Sequence, residues 1–229
     1  MDILLIGGLW LDASAWDRVL PELEARGHHA VPVALPGQGD GNPAATLDDQ
    51  VAAVVAAVDS AEGRPVVVGH SAASTLAWLA ADARPGAVAG VVLVGGFPWD
   101  DGKPYADLFP VTDGVMPFPG WEPFEGPDVA DLDAATREAV AAAAVPVPEG
   151  VARGVVRLTD ERRFDVPVTV VCPEFTPAQA RAWIDAGDVP ELARAKHLDL
   201  VDLDSGHWPM FSAPAALADL VAAAADLSV

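Results

Sequence analysis

Six short apolar runs, each too brief to cross a bilayer, limit what this chain can fold into. They lie at 2–7, 29–34, 65–69, 88–95, 166–172 and 198–203, bounded by glycine, proline or charge. Stretches such as "PVVVG" and "GVVLVG" are almost pure valine and leucine, which suits parallel strands buried on both faces. Helix-start signals fall between the runs. Ser14 with Asp17 and Thr46 with Asp49 have the spacing of capping boxes, with Asp in place of Glu. Thr176-Pro177-Ala178-Gln179 is a fuller box with proline at the first helical position. These signals predict helices over 15–26, 46–60, 72–82, 177–186 and 213–225, the first closed by Gly27. The βα alternation predicts an α/β fold, a doubly wound and mostly parallel six-stranded sheet with ligands at the carboxyl ends of its strands. A chain of 229 residues suffices for a single domain over 1–229 with one insertion.

That insertion is visible as a break in rhythm. From Phe97 to about Asp165 the chain is rich in proline, glycine and aromatics ("FPVTDGVMPFPGWEPFEGPD"), followed by the alanine-rich stretch 133–145. A long excursion between two strands predicts a lid over the functional site.

Charge narrows the partners. There are 34 Asp and Glu against 13 Lys and Arg, a formal net charge of −21, so phosphate backbones and anionic membrane surfaces are repelled. Neither nucleic acid nor a membrane is an expected partner, whereas a neutral or cationic small-molecule substrate is. The single cysteine, Cys172, cannot form an internal disulfide, and "MDILLIGG" lacks a basic n-region and a cleavage site. A soluble cytoplasmic protein is the expectation.

The chemistry centres on "RPVVVGHSAAS". Ser71 ends an apolar run and is flanked by Gly69 and Ala73, the small-x-Ser-x-small spacing of a strand-to-helix turn that projects a hydroxyl from the sheet. The competing reading is a serine that caps a helix. Of the five histidines, His28, His29 and His197 enter strands at the opposite end. His70 adjoins Ser71 and cannot readily turn back onto it. His207, in "DLDSGHWPMF", follows the last run at the carboxyl end and is the candidate base. The carboxylate that orients the base must also follow a strand. Glu174 in "VVCPEFTP" is best placed, and Asp100 or Asp101 in "GGFPWDD" is the alternative acid. The Gly7-Gly8 turn in "IGGLWLDASAW" predicts oxyanion donors at the amides of Leu9 and Ala72. No dinucleotide or phosphate-binding glycine motif and no metal-ligand spacing is present, so no cofactor and no metal is expected.

With Ser71, Glu174 and His207 in chain order, the sequence resembles the α/β-hydrolase superfamily along essentially its whole length. It is most similar to the short branch that holds plant methylesterases and hydroxynitrile lyases and lacks the first two strands of the larger fold. "GGLWLDASAW" parallels that branch's His-Gly-x-x-x-x-x-x-Trp loop, and "LPGQGDG" its loop after the second strand. The resemblance implies a nucleophile at Ser71, a base at His207, and oxyanion amides at Leu9 and Ala72. Three departures stand out. Gly7 replaces the histidine that braces the oxyanion loop, the acid is Glu rather than Asp and about one position early, and Trp208 replaces the lysine that lyase members carry after the base.

The function these features predict is a serine esterase or lactonase acting on a small apolar substrate. Trp10, Phe97, Phe118, Trp121, Trp208 and Met210 are its candidate pocket walls. Two other uses of the fold remain open at this point: C–C bond hydrolysis or cofactor-free oxygenation on the same triad, and a non-catalytic receptor.

Overall fold

The structure, a computed structural model, describes residues 1–227. Its strands are β1 (Asp2–Ile6), β2 (His29–Pro32), β3 (Val66–His70), β4 (Gly90–Val94), β5 (Val115–Met116), β6 (Val147–Pro148), β7 (Val168–Cys172) and β8 (Leu198–Asp202). Six of them form one sheet in the order β2-β1-β3-β4-β7-β8, with every neighbouring pair parallel. The short β5 and β6 pair antiparallel inside the excursion.

The central strands are as the valine runs predict, with every residue of β3 and β4 buried. At the edges the expectation of burial on both faces fails. β8 reads Leu-Asp-Leu-Val-Asp with Asp199 and Asp202 exposed, and His29 on β2 is exposed too. An edge strand has a neighbour on one side only, and charge there discourages pairing with another chain.

The helices are α1 (Leu20–Ala25), α2 (Leu47–Ser60), α3 (Ala73–Ala83), α4 (Ala134–Ala143), α5 (Glu149–Ala152), α6 (Pro177–Ala186), α7 (Pro190–Ala193), α8 (Pro209–Ser212) and α9 (Pro214–Leu227). Alternate residues of β1 divide the core. Leu4 and Ile6 face a cluster that includes Val54, Leu76 and Ile184 from α2, α3 and α6. Ile3 and Leu5 face a cluster that includes Leu23 and Val221 from α1 and α9. Side-chain alternation along a strand thus supports a helical layer on each side of the sheet.

The Thr46–Asp49 and Thr176–Gln179 capping boxes form with both reciprocal bonds. The one expected at Ser14 and Asp17 does not. Asp12 caps instead, accepting from the Ser14 amide, and opens a single 3-10 turn over Ala13–Trp16. Pro21 then fixes the start of α1, because a proline has no N–H to give to a preceding turn. Gly27 closes that helix at φ 84°, with His28 N–H donating to Leu23 and Gly27 N–H to Glu24, a Schellman arrangement. The last predicted helix forms as one piece, α9 opening at Pro214, with the short α8 preceding it.

The 97–165 excursion leaves from β4 and returns to β7. Its two legs bond to each other through Gly102 N–H to Val156 and Val156 N–H to Lys103. Its exit is fixed by a buried ion network. Arg163 reaches both Asp82 of α3 and Glu191 of α7, and Trp78 also donates to Glu191. Pairing both carboxylates with one guanidinium is what permits their burial. Among the described residues, no helix is long and apolar enough to cross a membrane.

Candidate active site

The strand order places β1 between β2 and β3, so the chain leaves β1 in one direction for β2 and then crosses back to β3. The crevice outside the carboxyl ends of β1 and β3 lies at this change of direction, the usual ligand position in a doubly wound sheet. The Gly7–Leu11 loop and the His70-Ser71-Ala72 turn meet there.

Ser71 follows β3 directly and has φ 54°, a left-handed conformation uncommon for a residue with a Cβ. This turn folds α3 back against β3 so closely that a Cβ at Gly69 would collide with the backbone carbonyl of Ala73. The Ser71 amide donates to the Val94 carbonyl at the end of β4. The serine hydroxyl does not cap α3, whose N-terminus has no side-chain cap. It lies 2.9 Å from Nε2 of His207.

His207 Nδ1 is 2.7 Å from Oε1 of Glu174, and both side chains are largely buried. Glu174 stands just beyond β7 and before the capping box of α6, so two rigid elements fix it. A carboxylate only accepts here, so Nδ1 carries the proton that bonds Glu174, and in the neutral ring Nε2 is free to accept from Ser71. Asp100 and Asp101, the alternative acids, lie elsewhere. Asp101 accepts the Leu158 amide within the excursion. Burial raises the Asp100 carboxyl, helped by the charge of Glu191 and opposed by Lys103.

The Gly8 backbone packs against the His70-Ser71-Ala72 turn, and a Cβ there would lie 3.2 Å from Ser71 Cβ. Among the described residues, the Leu9 and Ala72 amides donate no hydrogen bond within the chain. Two unspent donors thus flank the serine.

The candidate wall residues separate into groups. Trp10, Phe118, Trp121 and Trp208 form one aromatic cluster with Phe109 and Phe124, their rings meeting mostly edge to face at 5.1–6.0 Å. Trp208 also stands edge to face on His207. Phe97 packs elsewhere, against Phe175 and Trp183 beside Glu174. Met210 is fully buried in the core on the α1 and α9 side. A cavity of about 280 Å³ opens between α4 and residues 10–18, walled by Trp10, Leu11 and Val140 together with Asp12, Asp17 and Arg18, and none of Ser71, His207 and Glu174 lines it. Between Leu9, Trp121 and Trp208 only about 10 Å³ remains, too little for a ligand atom group without movement of those rings.

Several neighbours of the triad carried no sequence signal strong enough to single them out. His70 cannot reach Ser71, as its adjacency implies, but its Nε2 lies 2.8 Å from the backbone oxygen of His207. A carbonyl only accepts, so Nε2 carries a proton. Burial, reinforced by the nearby His207, lowers the His70 pKa to about 3, against the bond to the His207 carbonyl. The ring is therefore neutral. Asp128 and Asp131 reach the same loop from the excursion: His207 N–H donates to the Asp128 carbonyl at 2.7 Å, and Gly206 N–H and Ser205 Oγ donate to Asp131 Oδ2 at 2.7 and 2.9 Å. Their only forewarning was membership in the segment read as a lid.

No curated protein matches the sequence. Solved structures with the same fold include an extracellular alpha/beta-hydrolase from a Paenibacillus species, described as sharing structural and functional homology with tobacco salicylic acid binding protein 2. It has a TM-score of 0.78 at 19% identity, over 98% of each chain. A pyrethroid hydrolase from Sphingobium faniae superposes with a TM-score of 0.74 at 22% identity, over 99% of this chain and 97% of that one. A methylesterase from Arabidopsis does so with 0.73 at 16% identity, over 99% of each. At such identities the likeness establishes the six-stranded fold and leaves chemistry to the site. The model of the alpha/beta hydrolase family matches residues 3–220, nearly the whole length, and the chain belongs to that family.

Proposed function

We propose that this hydrolase is a cofactor-independent serine esterase or lactonase that cleaves a small apolar ester through an acyl-enzyme. The observation that carries the reading is the continuous hydrogen-bonded line from Ser71 Oγ through His207 to Glu174, at 2.9 and 2.7 Å. In this reading His207 Nε2 takes the hydroxyl proton as Ser71 attacks the ester carbonyl. Glu174 holds the ring in the right tautomer and offsets the positive charge it gains. The Leu9 and Ala72 amides receive the developing oxyanion, a contribution typically worth about 3–4 kcal/mol per donor. His207 then returns the proton to the leaving alcohol and activates water, which releases the acid and restores Ser71.

The rings of Trp121 and Trp208, the second standing edge to face on His207, favour an apolar acyl or alcohol group. The 97–165 segment, packed on the aromatic cluster, serves as the lid. Methylesterase and pyrethroid hydrolase among the structural neighbours support ester chemistry. Trp208 after the base offers no cation for a cyanide leaving group, which disfavours a lyase.

Intact mass after exposure to a small fluorophosphonate tests the reading. One adduct is expected on the natural protein and none on Ser71→Ala. A folded natural protein that stays unlabelled at millimolar probe would sink it.

A further inference from the structure

Trp10 is held in a conformation its side chain disfavours. The Leu11 amide donates back to the Gly8 carbonyl, closing a four-residue turn whose third residue is Trp10 at φ 62°. A turn with positive φ at that position ordinarily takes glycine. A tryptophan there persists only if its surroundings hold it.

The surroundings that do so all come from one place. The indole Nε1 donates to the Met116 carbonyl at 3.2 Å, and the Val145 amide donates to the Trp10 carbonyl at 2.9 Å. Phe109, Phe118 and Phe124 stand edge to face around the ring at 5.3, 5.5 and 6.0 Å. Each of these groups belongs to the 97–165 excursion. The turn they grip contains the Leu9 amide and abuts His70 and Ser71 through Gly8, while Gly7 at the strand exit offers it no side chain.

We propose that Trp10 is a positioning residue through which the excursion sets the aim of the Leu9 amide, so that closure of the excursion and completion of the oxyanion site are a single event. The proposal rests on the serine hydrolase reading. Trp10 touches no reacting atom in this account. It acts by keeping a strained turn from relaxing, and an ester bound while the excursion is displaced would meet a serine with one oxyanion donor misdirected.

Two substitutions isolate this role. Trp10→Phe keeps a ring among the phenylalanines and removes the indole N–H. Leu9→Pro removes the amide itself, and proline suits the second position of such a turn. Leu9→Pro is expected to slow phosphonylation of Ser71 and kcat for a neutral ester together by about 10²- to 10³-fold, and Trp10→Phe by about 10- to 100-fold, each with KM within about threefold and the pH midpoint of kcat/KM unmoved. Because Trp10 acts through the Leu9 amide, the double variant should be no slower than Leu9→Pro alone. A wall residue would instead raise KM, and an independent role would make the two losses multiply; either result overturns the proposal. Phe109→Leu, which loosens the clamp from the excursion side, should give a smaller loss of the same kind and serves if Trp10→Phe does not fold. An unchanged rate in folded Phe109→Leu and Trp10→Phe also overturns it. Failure of the natural protein to label at all would mark the serine hydrolase reading, rather than the role of Trp10, as the error.

Discussion

The site is assembled from two regions that contribute in different ways. The sheet supplies the side chains of the proposed triad, with Ser71 after β3, Glu174 after β7 and His207 after β8, each at the end of a strand. The excursion over 97–165 supplies no member of the triad. It grips backbone instead: the Trp10 carbonyl, the His207 amide and the Gly206 amide each bond to it. The comparison teaches that, in the proposed reaction, the chemistry belongs to the sheet while the loops that carry it are tensioned from outside. Residues of the first kind are replaced at the cost of the reaction. Replacing the second kind costs precision.

The largest effect should come from the sheet side. Glu174→Gln keeps the size of the acid but removes its charge and lets the amide offer either a donor or an acceptor to His207. Loss of the correct tautomer should lower the phosphonylation rate of Ser71 and kcat by about 10³–10⁴, with the thermal midpoint little changed. A decline of less than tenfold would show that Glu174 is not the partner of His207, and would break the division at its strongest point.

On the excursion side, Asp131→Ala removes the acceptor for both Gly206 N–H and Ser205 Oγ while leaving the triad untouched. Although burial opposes it, the bonds from Gly206, Ser212 and Ser205 hold this carboxyl below its ordinary range. Its contribution to stability is therefore complete above the ordinary carboxylate value and fades as pH falls through the lowered one, so at neutral pH the full effect is available. The expected loss is about tenfold in kcat and about 1 kcal/mol in urea unfolding. A kcat unchanged beside a normal fold would mean that the His207 loop is rigid without the excursion.

The same division explains what the sequence discloses. Strands buried on both faces cannot avoid apolar runs, so the central valines of β3 and β4 announce themselves, and groups needed at strand ends can be sorted by which end they occupy. Ser71, His207 and Glu174 were readable for that reason. Gly8 was visible as a turn, but its contact with Ser71 depends on the parallel pairing of β1 with β3. The excursion obeys no period. Its two-stranded ribbon of four paired residues, its 3-10 turns and the anchors at Met116, Asp128, Asp131 and Val145 are set by tertiary contacts across many intervening residues. Ser14 misled for the opposite reason: local capping chemistry was present in duplicate, and Asp12 rather than Ser14 took the role.

The remaining effect falls on stability alone and concerns His70, which belongs to the sheet by position and to the bracing system by what it does. It ends β3 beside Ser71, yet its ring supports the carbonyl of His207. Its other nitrogen, Nδ1, is buried without a partner and faces Gly8, where a Cβ would come within 2.8 Å of it. Protonating that nitrogen would bury a cation with nothing to receive it, next to His207. With the folded pKa near 3 and an ordinary value of 6.5, the unfolded chain binds the proton first as pH falls. Stability from the neutral ring is thus complete above about 6.5 and declines below it until the folded pKa is reached. Between pH 7.5 and 5.5 this one group should cost about 1.4 kcal/mol, the free energy of one pKa unit. His70→Gln retains a donor for the His207 carbonyl but cannot titrate. Urea unfolding at the two pH values should therefore show a loss on acidification that is smaller in the variant by about that amount. Equal losses would mean that His70 takes up its proton in the folded protein as readily as in the unfolded chain.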